Sequence, residues 1–307
     1  MVGVGTPAIT TEMVRSLVAE QFPSWAHLDV RPVDVDGWDN RSFRLGDDLL
    51  VRLPSADAYA SQAGTERRWL PVLRPHLPFP IPEPVGFGRP GCGFPRPWSV
   101  LRWLAGEPLG GLPPESVPDH DRLADELATF LRALRSVDAA GGPPAGERSF
   151  HRGGDLAVYD GDVERSLASL AGAVDESGVR EVWTRALRTR WEQPPVWLHG
   201  DVAPSNLLVA NGRLAAVIDF GQVAVGDPAC DLVIAWTWFD GTARTRFVDG
   251  NGLDAATVDR ARGWAIWKAL LVMAEAHDTG DDPLVASRRA GWSRSPAEVV
   301  DLLAGGA

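Results

Sequence analysis

Between Trp197 and Gly221 the chain reads WLHGDVAPSNLLVANGRLAAVIDFG, and oxygen-bearing side chains recur there at the edges of short apolar runs. Asp201 stands between Gly200 and Pro204, Asn206 follows five residues later, and Asp219 closes a Val-Ile pair. The segment LLVANGRLAAVIDF reads as a hairpin about Asn211-Gly212, a dipeptide suited to a two-residue turn with positive φ at both positions. An antiparallel hairpin returns the end of its second strand beside the start of its first. Asn206 and Asp219 are therefore predicted neighbours. An amide oxygen and a carboxylate at one hairpin base are hard ligands suited to magnesium. Asp201, on the loop ahead of them, can reach a substrate hydroxyl, which is the arrangement phosphoryl transfer needs. Each residue alone reads as well as a turn residue bonding its own backbone. The three together, framed by His199-Gly200 and Phe220-Gly221, point to function.

These residues need elements to hold them. A helix capped by Thr10 or Thr11 is predicted to end before Pro23. Extended runs LDVRPVDV, RSFRLG and LLVRLP follow, the last two joined by a turn at Gly46-Asp47-Asp48. A helix is predicted from about Ala58 to Leu73, with Pro71 in its last turn. The Pro-rich RPHLPFPIPEPVGFGRPGCGFPRP reads as connector and loop, and PWSVLRWL as one more strand. After Gly106 the pattern turns helical: DHDRLADELATFLRALRSV spaces its leucines for one face, and DRARGWAIWKALLVMAEAHD is the clearest late helix. The expectation is an α+β chain of two lobes. Residues 1–104 form a small antiparallel sheet with an inserted helix, and residues 105–307 form a larger, mostly helical part.

Composition narrows the partners. A net charge of -11 over 307 residues argues against nucleic-acid binding, which needs a basic stripe, and permits a cationic small molecule. No run approaches the roughly 20 apolar residues of a membrane span. Cys92 and Cys230 lie far apart in no metal-binding spacing, as expected of reduced thiols. With no basic and apolar leader pattern at the N-terminus, a cytoplasmic location is expected. Trp236, Trp238, Trp264 and Trp267 fall in predicted helices, where core packing is the first reading and a substrate wall the second. Asp155, Asp160, Asp240 and Glu275 are the acidic candidates for holding a cationic acceptor.

HGDVAPSN and VIDFGQVAVGDPACDL resemble the aminoglycoside phosphotransferase family, small-molecule kinases with a protein-kinase-like fold. The family pattern is H-G-D-x-x-x-x-N, then I-D-F/W-x-x-x-x-x-G-D-P-x-x-D. The resemblance implies that Asp201 is the catalytic aspartate and that Asn206 and Asp219 bind Mg2+. It implies a bracing role for His199 and a structural one for Asp231 through local hydrogen bonds. Upstream, GWDNRSFRL from Gly37 takes the place of the loop that covers the nucleotide phosphates, though with one glycine and not three. Backbone N–H groups of Asp39 to Ser42, with Asn40 and Ser42 among them, would cradle phosphate as a nest, the alternative being a plain turn between strands. LLVRLP takes the place of the strand that usually carries a phosphate-pairing lysine. This chain has Arg52 there, a departure that keeps the charge and adds a planar fork. Glu66 is its expected acidic partner. WSVLRWLAGE resembles the hinge between lobes, where main-chain groups of Arg102 and Leu104 would read the base, leaving ATP and GTP open. The implied activity is transfer of a nucleoside triphosphate γ-phosphate to a hydroxyl of an aminoglycoside-like antibiotic. The alternatives are a macrolide or similar antibiotic, or a small metabolite such as an amino alcohol or sugar. A non-catalytic nucleotide-binding module would be expected to lose Asp201, Asn206 or Asp219. A protein kinase would carry an H-R-D loop and an A-P-E segment, which the sequence lacks.

Overall fold

A computed structural model describes residues 9–33, 39–117, 119–280, 282 and 291–305. The chain divides into two compact units: the residues up to Pro75 together with Ile81–Leu104, and His76–Pro80 together with the residues from Ala105 on. The five-residue segment groups with the second unit because the Pro80 carbonyl accepts the Val217 N–H at 3.1 Å.

The first unit is built on a five-stranded antiparallel sheet in the order β1-β2-β3-β5-β4. Its strands are β1 (Val30–Pro32), β2 (Asn40–Leu45), β3 (Leu49–Pro54), β4 (Pro84–Gly88) and β5 (Trp98–Arg102). Helix α1 (Thr11–Gln21) is capped by Thr10, whose hydroxyl accepts the Met13 N–H. It lays Val14, Leu17 and Val18 into a core with Phe43, Leu45, Val51, Leu53, Trp98 and Val100. Strand alternation puts Val51 and Leu53 on that core face and Arg52 on the opposite one. Helix α2 (Gln62–Leu73) follows β3 after a short 3-10 turn, Asp57–Tyr59, so the expected helix from Ala58 begins four residues late. Two sequence readings need correction. The Pro-rich connector contains β4, which is tolerated because β4 is an edge strand and Pro84 opens it, where a missing N–H breaks no ladder. Asp39 to Ser42 do not form a nest. Asn40–Leu45 is a regular strand with Asn40 opposite Pro54 and Ser42 opposite Arg52, and an extended strand directs successive N–H groups to opposite sides. Gly37 and Trp38, the start of that reading, lie outside the described residues.

The second unit carries helices α3 (His120–Ser136), α4 (Asp160–Ser169), α5 (Glu176–Leu187), the single turn α6 (Ile234–Thr237), α7 (Gly241–Gly250), α8 (Ala255–Thr279) and a C-terminal helix, Pro296–Ala304. Helix α8 has 25 residues, is capped by Asp254 and stops at Gly280, whose φ is +73°. It packs against α4, α5 and the turn Pro228–Leu232. Among the described residues no helix is long and apolar enough to cross a membrane. Two small sheets support the motif residues. One is β6 (Glu107–Pro108), β8 (Leu207–Ala210) and β9 (Arg213–Val217); the other pairs β7 (Val196–Leu198) with β10 (Ala224–Gly226). β8 and β9 form the expected hairpin, with Ala210 opposite Arg213 and positive φ at both Asn211 (+52°) and Gly212 (+72°).

Candidate active site

β7 ends at Leu198 and delivers His199, Gly200 and Asp201 into a loop that closes in the 3-10 turn Pro204–Asn206. From there the chain enters β8. The hairpin returns it so that the Ile218 N–H donates to the Asn206 carbonyl at 2.8 Å, one step beyond the Leu207–Val217 pair. Asp219 is the next residue, held at φ +66°, a left-handed conformation that aspartate tolerates better than most side chains. The Asn206 amide nitrogen donates to the Asp201 carbonyl at 2.9 Å and to Asp201 Oδ2 at 3.2 Å. With its N–H groups committed to Asp201, the Asn206 amide oxygen is the atom that suits a hard cation beside Asp219.

The loop is braced from beneath. The Asp231 carboxylate is buried and accepts the N–H of His199 on Oδ2 and of Gly200 on Oδ1, both at 2.8 Å. These bonds span 31 and 32 residues, so Asp231 works across the unit and not through local bonds as the sequence reading had it. Burial raises the pKa of this carboxyl, while the backbone N–H bonds from Gly200 and His199 pull the other way. His199 Nδ1 accepts the Asp201 N–H at 3.2 Å, which leaves Nε2 to carry the proton and donate to the Ile218 carbonyl at 2.9 Å. One buried ring thus ties the loop to the end of the hairpin, with Phe220 packed edge-on at 4.6 Å. Gly200 has φ +90°, and a Cβ there would lie 2.7 Å from the Gln222 carbonyl oxygen, so only glycine fits.

In the first unit, Arg52 Nη1 meets Glu66 Oε1 at 2.7 Å, with both side chains buried. β3 and α2 supply one partner each. Asn40, also buried, donates to Gln62 Oε1 at 3.4 Å, and Gln62 donates to Asp39 at 2.6 Å. The Arg102 N–H donates to the Glu83 carbonyl at 2.9 Å, so any contact of Arg102 with a base falls to its carbonyl.

A model of the phosphotransferase enzyme family matches residues 29–270, most of the chain. It belongs to that family. An aminoglycoside 3'-phosphotransferase from Escherichia coli is 26% identical over 223 residues, 68% of this chain and 76% of that protein. Among solved structures, the GDP and kanamycin complex of APH(2")-IIia is similar with a TM-score of 0.70 and 21% identity, covering 90% of this chain and 95% of that one. The macrolide 2'-phosphotransferase MphH from Brachybacterium faecium is similar with a TM-score of 0.60 and 23% identity, covering 95% and 97%. The fold is the kinase-like α+β fold of these enzymes, and this phosphotransferase is a kinase of hydroxyl acceptors.

Two side chains at Asp201 were not picked out from the sequence. Lys268, in the middle of α8, places its ammonium 3.0 Å from Asp201 Oδ1. Arg152 lies over the rings of Trp264 and Trp267, at 5.1 and 4.8 Å. Burial opposes ionisation of Asp201, but the Lys268 ammonium and then the Arg152 guanidinium outweigh it and hold the carboxyl below its ordinary range. A signal for Lys268 was present: it is the only lysine of the phosphotransferase, among 30 basic side chains. Trp236, Trp238, Trp264 and Trp267 are all buried, which supports the core reading. The acidic candidates have structural surroundings: Asp155 pairs with Arg190 at 3.0 Å, Asp160 accepts the Trp183 N–H at 2.8 Å, Asp240 faces Arg294 at 3.5 Å, and Glu275 is exposed.

Proposed function

We propose that this phosphotransferase transfers the γ-phosphate of ATP or GTP to a hydroxyl of an aminoglycoside-like antibiotic, with Asp201 as the catalytic residue. The carrying observation is the Asp201 carboxylate, fixed on one oxygen by Asn206 and on the other by Lys268, beside a hairpin end that presents Asn206 and Asp219 together. Asp201 accepts the hydrogen bond of the acceptor hydroxyl, aligns its oxygen on the γ-phosphorus, and takes the proton as the bond forms. Asn206 and Asp219 would hold Mg2+, which when bound neutralises phosphate charge. Arg52, kept in place by Glu66, pairs with the nucleotide phosphates. A buried ion pair is a poor source of stability, which favours a binding role for this one. Ser42, directly opposite Arg52 on β2, shares its face of the sheet and joins it in that role, with Asn40 two residues away on the same face. Leu104 supplies the backbone contact to the base. The nucleotide is assigned to the first unit and the acceptor to the second.

Support for an amino-sugar acceptor comes from the E. coli relative, named for that activity, from the similar structure with kanamycin bound, and from the net charge of -11, which draws cations. The macrolide enzyme of similar fold keeps a macrolide as the second reading. A cytoplasmic location fits a consumer of nucleoside triphosphate and the two free cysteines. The test is a panel of acceptors, with kanamycin, a macrolide and a small amino alcohol each incubated with protein, magnesium and ATP or GTP, and products read by mass. Kanamycin is expected to gain one phosphoryl group. Phosphorylation of the macrolide alone would replace the acceptor assignment. Asp201→Asn is expected to keep nucleotide binding and lower turnover at least about a hundredfold; near-normal turnover in that folded variant removes Asp201 from the mechanism.

A further inference from the structure

We propose that Lys268 is a positioning residue for phosphoryl transfer, pinning the Asp201 carboxylate and keeping a positive charge beside the hydroxyl that Asp201 holds. The proposal rests on Asp201 being the catalytic residue.

The carboxylate of Asp201 is held from two directions. Asn206, five residues along the same loop, donates to Oδ2 at 3.2 Å, and Lys268, on a helix 67 residues away, meets Oδ1 at 3.0 Å. Together they fix the torsion of a side chain that would otherwise turn freely. Each carboxylate oxygen still has a second lone-pair site, so a hydroxyl can dock without displacing either partner. The pair is not sealed off, since 22% of the Lys268 side chain and 27% of the Asp201 side chain are exposed. An acceptor hydroxyl bound to Oδ1 therefore lies close to the ammonium, and so do the phosphoryl oxygens as the new bond forms.

The residue type supports this reading. The other 29 basic side chains are arginine, and the one lysine stands here. Lysine is a compact charge on a flexible stem with three donors, able to keep one on Asp201 and turn another to a phosphoryl oxygen, whereas the arginine fork is planar and fixed. A stabilising role is the weaker explanation, because a partly exposed pair adds little to stability. Helix α8 has firmer anchors: Arg260 is buried against Asp227 at 2.7 Å, and Trp264, Trp267 and Leu270 are in the core.

The experiment compares wild type, Lys268→Met, Lys268→Arg, Asp201→Asn and the Asp201→Asn/Lys268→Met double variant. Phosphate transfer to kanamycin and phosphate release from magnesium-ATP and magnesium-GTP to water are both read. Lys268→Met is expected to lower kcat about a hundredfold, the scale of removing one fixed electrostatic donor, with nucleotide KM unchanged within about twofold. Lys268→Arg should recover part of the loss. Because part of the effect of Lys268 runs through Asp201, Lys268→Met should cost less on the Asp201→Asn background than on wild type. A single lysine also permits a test on the wild-type protein. Acetylation removes its charge and reductive methylation keeps it. Turnover is expected to fall in step with acetylation of Lys268, mapped by peptide mass, and to survive methylation. If Lys268→Met does not fold, the acetylation result decides. Lys268→Met turning over within about threefold of wild type, while Asp201→Asn is inactive, overturns the role of Lys268 and leaves that of Asp201 standing. Activity in Asp201→Asn overturns both.

Discussion

Arg52 and Glu66 show how one residue type can be changed while its position keeps its logic. The strand position that carries lysine in the resembled pattern carries arginine here, and its partner on α2 meets it at 2.7 Å. Replacing Arg52 by lysine keeps the charge and loses the two-pronged geometry. That variant is expected to stay active with a raised nucleotide KM. Arg52→Ala removes the guanidinium that faces the buried Glu66, and breaking a buried pair in this way costs about 3 to 5 kcal/mol. Its unfolding midpoint should fall and its nucleotide affinity should drop well below that of the lysine variant. Titration of nucleotide into the three folded proteins checks this, and an alanine variant that binds as tightly as wild type makes Arg52 a strand residue only.

At the scale of elements, helix ends offer a clean test of local reasoning. The C-terminal helix opens on a capping box in which the Glu298 N–H donates to the Ser295 hydroxyl oxygen at 3.2 Å and the Ser295 N–H donates to the Glu298 carboxylate at 2.7 Å. Ser295→Ala is expected to cost about 1 kcal/mol, read from denaturant midpoints. The Ser295 backbone bond, and after it the Ser295 hydroxyl, holds the Glu298 pKa below its ordinary value of 4.5. A depressed carboxyl stabilises the fold above its unfolded pKa and loses that contribution as pH falls through the folded one. The difference between wild type and Glu298→Gln should therefore shrink as the medium is acidified below about 4.5. The same locality explains what the sequence revealed. The β8–β9 hairpin was legible because Asn211-Gly212 and the flanking apolar runs fix its turn within a dozen residues, and Asn206 and Asp219 came with it. Lys268 stood out only as the one lysine of the sequence, because nothing within α8 announces a partner 67 residues away. β4 was hidden by prolines that an edge strand tolerates, and the phosphate nest was misread because pairing with β3 extends the RSFRLG strand back to Asn40.

For the molecule as a whole, two units and a charge of -11 set the scale on which the chain meets its partners, while α8 organises the second unit. Arg260, two turns before Lys268, bonds Asp227 at 2.7 Å, Thr189 at 3.0 Å and Thr257 at 2.9 Å. The helix is thereby fastened to the turn that carries Asp231. That fastening bears on how the chain is cut. A protease that cleaves only after lysine has one site, dividing residues 1–268 from 269–307. The bond to be cut is in the middle of a 25-residue helix, which must unwind locally before it fits a protease groove. Native protein is expected to resist while its unfolded form is cut once, so two bands appear in proportion to the population in which α8 is open, when closing outpaces cleavage. Added nucleotide and acceptor should slow the cut if they are held around Asp201, giving a gel-based measure of occupancy that needs no turnover at all.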